Sequence, residues 1–363
     1  MPRAAEALAA AVGAVGPIDQ AAMAAAATQL DRLTKPRRSL GRLEQLAIQL
    51  AGITGHPAPG SRPRTIVVAA ADHGVAMRGV SAYPQAVTVQ MVANFLSGGA
   101  AINVLAQQVD AAVLVVDVGV ASPIPRGRHD SGRAVRFVSA PVRRGSSDIS
   151  VGPAMSRSEA LASIEVGLRI AAAEASAGTR LIGLGEMGIA NTTPASAIVA
   201  VMTGRPVAEI TGRGTGIDDE GYARKVAAIE RALAVNRPPA DDPVGVLASV
   251  GGFEIGALVG LILGAAAARI PVILDGYITG AAAILAATLC PGLPDRLIAA
   301  HRSVEPGHLV VLQQLGLTPL LELDLRLGEG TGTALAMPLI DAACAIRDGM
   351  ATFASAGIAG PGE

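Results

Sequence analysis

Glu329 is the residue of this chain best placed for acid–base chemistry. It stands between Gly328 and Gly330, after Glu322-Leu323-Asp324-Leu325-Arg326-Leu327 and before Thr331-Gly332-Thr333. Leu321, Leu323, Leu325 and Leu327 alternate with polar residues as in a strand, and an apolar helical pattern follows from Thr333. Flanking glycines let the backbone turn sharply and leave room for a ligand against the main chain. A carboxylate where a strand passes into a helix lies where open α/β folds place their chemistry. The structural alternative is an acid favoured by the dipole at a helix N-terminus.

Four other strand-like runs end in similar residues: Ala71-Asp72-His73-Gly74, Asp117-Val118-Gly119, Gly185-Glu186-Met187-Gly188 and Asp275-Gly276-Tyr277. Five ends carrying Gly, an acid or both point to one polar site that admits a ligand close to the backbone. Gly183-Leu184-Gly185-Glu186-Met187-Gly188 formally matches a dinucleotide fingerprint. That fingerprint needs its third Gly in the first turn of a helix, and Ala190-Asn191-Thr192-Thr193-Pro194 intervene. What remains is a glycine loop leading into a helix with Pro194 expected at its first position, where backbone amides can hold an anion.

A second loop, Gly212-Arg213-Gly214-Thr215-Gly216, opens a helix expected over residues 221–234 that carries Arg224 and Lys225. It lacks the G-x-x-x-x-G-K-[ST] pattern of triphosphate loops, but its amides, Thr215 and Lys225 suit a single phosphate. An ordinary turn beside a surface lysine is the alternative. His301, Glu305 and His308 have the spacing of one helix face, but Pro306-Gly307 interrupt that helix, so no metal site is expected. His73 is expected to be a loop histidine held by Asp72.

The elements that position these residues alternate. Strands are expected over residues 65–70, 112–118, 135–139, 180–184, 271–274 and 320–327, with helices between them. Most of these runs are continuously apolar, as in parallel strands buried on both faces. Right-handed crossovers then give an α/β fold, a three-layer α/β/α arrangement with a mostly parallel, Rossmann-like sheet. Residues 1–60 read as Ala-rich helices, two of them near 19–33 and 40–51, and residues 121–150 as an excursion over the active face. The division expected is 1–60 as part of a small helical domain, 61–330 as the catalytic domain and 331–363 as the helix completing the small domain. Apolar residues make up 51% of the 363 and aromatics only 2%, with no Trp, so the core is built from Ala, Val, Ile and Leu. A net charge of −1, no basic stripe and few aromatics exclude a nucleic-acid partner. The apolar run 255–268 is too short to span a bilayer and is expected as a buried helix. With two isolated cysteines, Cys290 and Cys344, and no signal-peptide pattern, a cytoplasmic location is expected.

In order along the chain, these segments resemble one family, the nicotinate-nucleotide–dimethylbenzimidazole phosphoribosyltransferases. The resemblance rests on Thr34-Lys35-Pro36 with Ser39-Leu40-Gly41-Arg42-Leu43-Glu44, Ala71-Asp72-His73-Gly74-Val75, and Gly79-Val80-Ser81-Ala82-Tyr83-Pro84-Gln85. It continues through Asn94-Phe95-Leu96-Ser97-Gly98-Gly99, Gly185-Glu186-Met187-Gly188-Ile189-Ala190-Asn191-Thr192-Thr193 and Gly252-Phe253-Glu254-Ile255 to Leu327-Gly328-Glu329-Gly330-Thr331-Gly332. Gly is commoner than Ala190 in that pattern, and Gly145-Ser146-Ser147-Asp148 departs from a commoner Gly-Thr-x-Asn. The resemblance implies transfer of phosphoribose from nicotinate mononucleotide to 5,6-dimethylbenzimidazole, without a cofactor or metal, by a cytoplasmic homodimer. It implies Glu329 as general base and Glu186 in the active site. Met187, Gly188, Ile189, Asn191, Thr192, Gly214, Thr215, Gly216 and Lys225 would hold the nucleotide and its phosphate, with Ser303 at the nicotinate half. Ser81, Tyr83, Gln90 and Leu327 would border the benzimidazole.

The residues agree with this chemistry. Nicotinate leaves from a pyridinium and needs no protonating acid, whereas the benzimidazole must lose its ring N–H proton. One base suffices; burial beside Leu327 and an aromatic ligand would raise its pKa, and the helix dipole would oppose that rise. Two other readings fit the residues alone: a different nucleotide-handling enzyme on a similar sheet, or a nucleotide sensor in which Glu329 caps a helix.

Overall fold

A computed structural model describes residues 2–124 and 135–360 of the chain. Its centre is a six-stranded sheet in the order β3-β2-β1-β4-β5-β6. The strands are β1 (Arg64–Ala71), β2 (Ala112–Gly119), β3 (Val135–Ser139), β4 (Leu181–Met187), β5 (Val272–Leu274) and β6 (Leu297–Ala299). Every pair is parallel; Val67 lies between Leu114 on one side and Leu184 on the other. Burial on both faces is why β1 runs on from Thr65 as Ile-Val-Val-Ala-Ala-Ala without a polar residue.

Alternate residues serve opposite layers. Val67, Ala69, Leu114, Val116 and Leu184 pack with helices Arg157–Ser176, Phe253–Ala267 and Tyr277–Leu289. Ile66, Val68, Ala70, Val113 and Val115 pack on the other face with helices Arg42–Thr54, Val87–Ser97 and Thr331–Gly349. The three layers and the parallel sheet are those expected. Helix Phe253–Ala267 is buried along almost its whole length, which accounts for the apolar run there. Residues 87–108 are the one helical stretch among the described residues with the length and apolarity of a membrane span. Gly98, at φ +77°, divides it into Val87–Ser97 and Ala101–Gln108.

Two strand expectations change. Residues 320–327 form no strand: only Leu321 bridges to His301, Asp324 turns at φ +53°, and Leu323 and Leu327 are exposed. The alternation of Leu with acids and Arg there reflects an edge loop rather than a pleated surface. The sixth strand is instead β6, whose three residues are too few to carry a periodicity. Helix Thr192–Thr203 begins two residues before Pro194, which therefore lies within its first turn. Asp19 caps helix Gln20–Asp31 by accepting the Ala22 amide, close to the expected start. The two ends of the chain meet: Thr34 N donates to Ala351 O, Phe353 N to Arg32 O, and Gln29 Nε2 to Arg347 O. Of the expected excursion over 121–150, residues 125–134 lie outside the described residues, as do 361–363 at the end of the C-terminal segment.

Candidate active site

The carboxyl ends of the strands bring Asp72 and His73, Asp117, Glu186 and Met187, Asp275, and His301 to one edge of the sheet, and the loop carrying Glu329 folds over it. Gly328, Glu329 and Gly330 are all left-handed, with φ of +82°, +63° and +88°. Such a conformation strains any residue with a Cβ, so Glu329 persists there only because its surroundings hold it. They do so from two sides. The turn presses on β4 so closely that a Cβ on Gly185 would lie 2.5 Å from the carbonyl carbon and oxygen of Glu329. A Cβ on Gly183 would meet Thr333 Cγ2 at 2.1 Å. Two of the three glycines that imitate a dinucleotide fingerprint thus make room for the Glu329 turn and the helix after it, while Gly188 faces the Ala71 carbonyl and His73. From the other side, Asp275 accepts the amides of Gly330 and Thr333, both at 3.1 Å.

The Glu329 side chain is 4% exposed, and its Oε2 has no hydrogen-bond partner. Burial raises its pKa to about 7, against the opposing pull of the Ile102 amide. Leu327 contributes none of the expected cover, since it is 57% exposed at the mouth. Glu186 is also buried and receives a short hydrogen bond from Asn191 Nδ2. Burial pushes its pKa to about 8; Asn191 opposes the shift, and the charges of Asp275, Glu254 and Glu329 add to it. Several carboxylates thus share one desolvated site where full ionisation is costly.

His73 is held by Glu254, not Asp72: its Nε2 lies 2.9 Å from Glu254 Oε1, both side chains being fully buried. Burial disfavours the imidazolium, yet the Glu254 charge and hydrogen bond, with Asp72, raise the His73 pKa. Asp72 instead accepts the Ala121 amide at 2.7 Å.

The two glycine loops adjoin. Lys225, on helix Asp219–Asn236, is wholly buried rather than a surface lysine, and donates to Thr192 Oγ1 at 2.8 Å and Gly212 O at 2.9 Å. Burial lowers its pKa to about 8, partly countered by Glu305. Several amides expected to face a phosphate are engaged within the protein. Gly214 N donates to Glu305 Oε1, Ile189 N to Thr88 Oγ1, and Gly216 N to Arg213 O. Thr215 Oγ1 accepts the Ala82 amide and lies 3.1 Å from Ser81 Oγ, tying the loop of Ser81 and Tyr83 to the glycine turn. Tyr83 and Gln90 are exposed. Ser303 Oγ accepts the Glu305 amide, while Ser303 N donates to His308 Nδ1 at 2.9 Å. His308 is therefore an acceptor, its pKa lowered to about 3 by burial and by His301.

The Phosphoribosyltransferase family model matches residues 15–358. A nicotinate-nucleotide–dimethylbenzimidazole phosphoribosyltransferase of Roseiflexus sp. is 54% identical over 352 residues, 97% of this chain and 98% of the relative. The same-named protein of Halalkalibacterium halodurans is 50% identical over 349 residues, 96% of each chain. A crystal structure of that enzyme from Thermus thermophilus superposes with a TM-score of 0.87 at 45% identity, covering 94% of this chain and all of the other. The chain belongs to the nicotinate-nucleotide–dimethylbenzimidazole phosphoribosyltransferase family.

One oddity of the backbone lies where glycine is expected from the sequence: Ala190 sits at φ +74°, in the left-handed region that favours glycine. Four contacts were not foreseeable from the chain order: Asp275 on the Glu329 turn, Glu254 on His73, Thr88 on the Ile189 amide and Glu305 on the Gly214 amide. Asp275 stood out as a strand end, and Glu254 within a family string, but nothing in either segment names its partner.

Proposed function

We propose that this protein transfers 5-phosphoribose from nicotinate mononucleotide to 5,6-dimethylbenzimidazole, giving α-ribazole 5′-phosphate and nicotinate. A benzimidazole ring nitrogen attacks C1′ of the ribose as the bond from C1′ to the pyridinium nitrogen breaks. The bonding pair returns to nicotinate, neutralising its ring. A single displacement inverts the anomeric carbon from β to α. Glu329 accepts the benzimidazole N–H proton.

The observation that carries this reading is the Glu329 carboxylate, buried, with one oxygen unpartnered and a pKa near 7. A base is most effective with a pKa near the working pH. Glu186 and Asp275 place carboxyl oxygens beside a sugar that becomes more cationic as the pyridinium departs. Lys225, between Thr192 and Gly212, is the cation for the phosphate, which would replace Glu305 at the Gly214 amide. Ser303 lies at the nicotinate half, and Ser81, Tyr83, Gln90 and Leu327 at the acceptor pocket. The N-terminal helices and the chain's end form the small domain. Exposed Met77, Tyr83, Leu323 and Leu327 supply apolar surface for a homodimer.

Glu329→Gln tests the base. It keeps shape but cannot take the proton, so turnover should fall about 10²–10⁴-fold while nicotinate mononucleotide still binds. In the unaltered enzyme kcat should fall as pH drops through about 7, where Glu329 becomes protonated. A Gln variant with nearly unchanged kcat would remove Glu329 from the chemistry and make Glu186 the next candidate.

A further inference from the structure

The backbone that presents Glu329 is the least relaxed in the site, since three consecutive residues are left-handed and the middle one is not glycine. Asp275 is the group that answers for it. Its carboxylate is 1% exposed at the end of β5, and its two oxygens are divided between amides on either side of Thr331-Gly332. Oδ2 accepts from Gly330 N, the residue directly after Glu329, and Oδ1 accepts from Thr333 N in the first turn of the following helix. The fit is close, because a Cβ on Gly332 would come within 2.9 Å of Asp275 Oδ1. The titratable groups around it are Glu329 on the turn, Glu186 at the end of β4 and His301, whose Nε2 is 3.9 Å away, after β6.

We infer that Asp275 is a positioning residue for the reaction, holding the left-handed turn so that the Glu329 carboxylate meets the acceptor's N–H. This rests on the reading of Glu329 as the base. A carboxylate suits the task better than an amide: both oxygens accept, whereas Asn would turn a donor toward one of the two N–H groups. Asp275 is also a like charge beside Glu329, so it favours the protonated base.

The test compares Asp275→Asn, Asp275→Glu and Glu329→Gln in steady-state assays with nicotinate mononucleotide and 5,6-dimethylbenzimidazole. A base displaced by about 1 Å loses on the order of 10²-fold in rate. Both Asp275 variants should therefore lose about 10- to 100-fold in kcat, with KM for the nucleotide within about threefold of the unaltered enzyme. In Asp275→Asn the acid limb of the kcat profile should also move to lower pH, because a neighbouring negative charge is gone. Asp275→Glu keeps the charge and should leave that limb in place. A role confined to stability leaves the kcat-to-KM split unmoved. The Glu variant carries the split if the Asn variant does not fold. Wild-type kcat in the Asp275 variants alongside an inactive Glu329→Gln overturns the inference alone. Equal losses in kcat and in nucleotide affinity overturn it too. Wild-type kcat in Glu329→Gln overturns the base reading beneath it.

Discussion

A methyl group on Gly185 should disable the active site from beneath. The Cβ of Gly185→Ala would sit 2.5 Å from the carbonyl carbon and oxygen of Glu329 and 2.6 Å from Gly330 N. All three are main-chain atoms, so no side chain can rotate aside, and ordinary contact requires the turn and β4 to separate by roughly an ångström. Overpacking of this kind costs about 1–3 kcal/mol of stability. It lifts the turn off the strand and carries the Glu329 carboxylate with it, and such a misplacement costs about 10²-fold in rate. Because the added Cβ meets the Glu329 turn first, kcat should fall by more than KM for nicotinate mononucleotide rises. Steady-state kinetics and calorimetric melting on one preparation separate the two effects. Gly152→Ala is the control, since a Cβ there meets nothing within 4 Å. A Gly185→Ala enzyme with kcat within twofold of wild type would refute the account of β4 as the support of the base.

Lys225→Ala should raise KM for nicotinate mononucleotide about ten- to a hundredfold through loss of a charge-assisted contact. In the unaltered enzyme KM should climb as pH rises through about 8, where Lys225 loses its proton; a KM flat from pH 7 to 9 in steady-state assays contradicts this. Glu186, Glu329 and Asp275 all have folded pKa values near 7 to 8, far above ordinary carboxylates. Their stabilising contribution is complete below the unfolded pKa and is lost as pH rises through 7 to 8. Melting temperature should therefore drop between pH 5.5 and 8, and Glu186→Gln should shrink that drop; an unchanged difference would show that Glu186 stays ionised. Sedimentation should give a dimer at micromolar concentration, and a stable 36.3 kDa monomer would contradict the homodimer.

Patterning along the chain is enough to establish the layers and the place of the chemistry. Continuous apolar runs such as 65–70, alternating with helical stretches, read as central parallel strands whose ends meet at one edge, which points to a common site for Asp72, Glu186 and Asp275. The motif around Glu329 is local and therefore legible. What each group touches emerges only on folding. Asp275 precedes the turn it supports by more than fifty residues, and Glu254 is 181 residues from His73, so no spacing encodes either contact. The same limit misassigns residues 320–327, where alternation along one chain cannot reveal whether a neighbouring strand exists to bond it. It also hides the burial of Lys225, which looks from its helix like a surface residue. Desolvation is a property of the surrounding elements, and it is desolvation that sets the pKa values on which the proposed reaction depends.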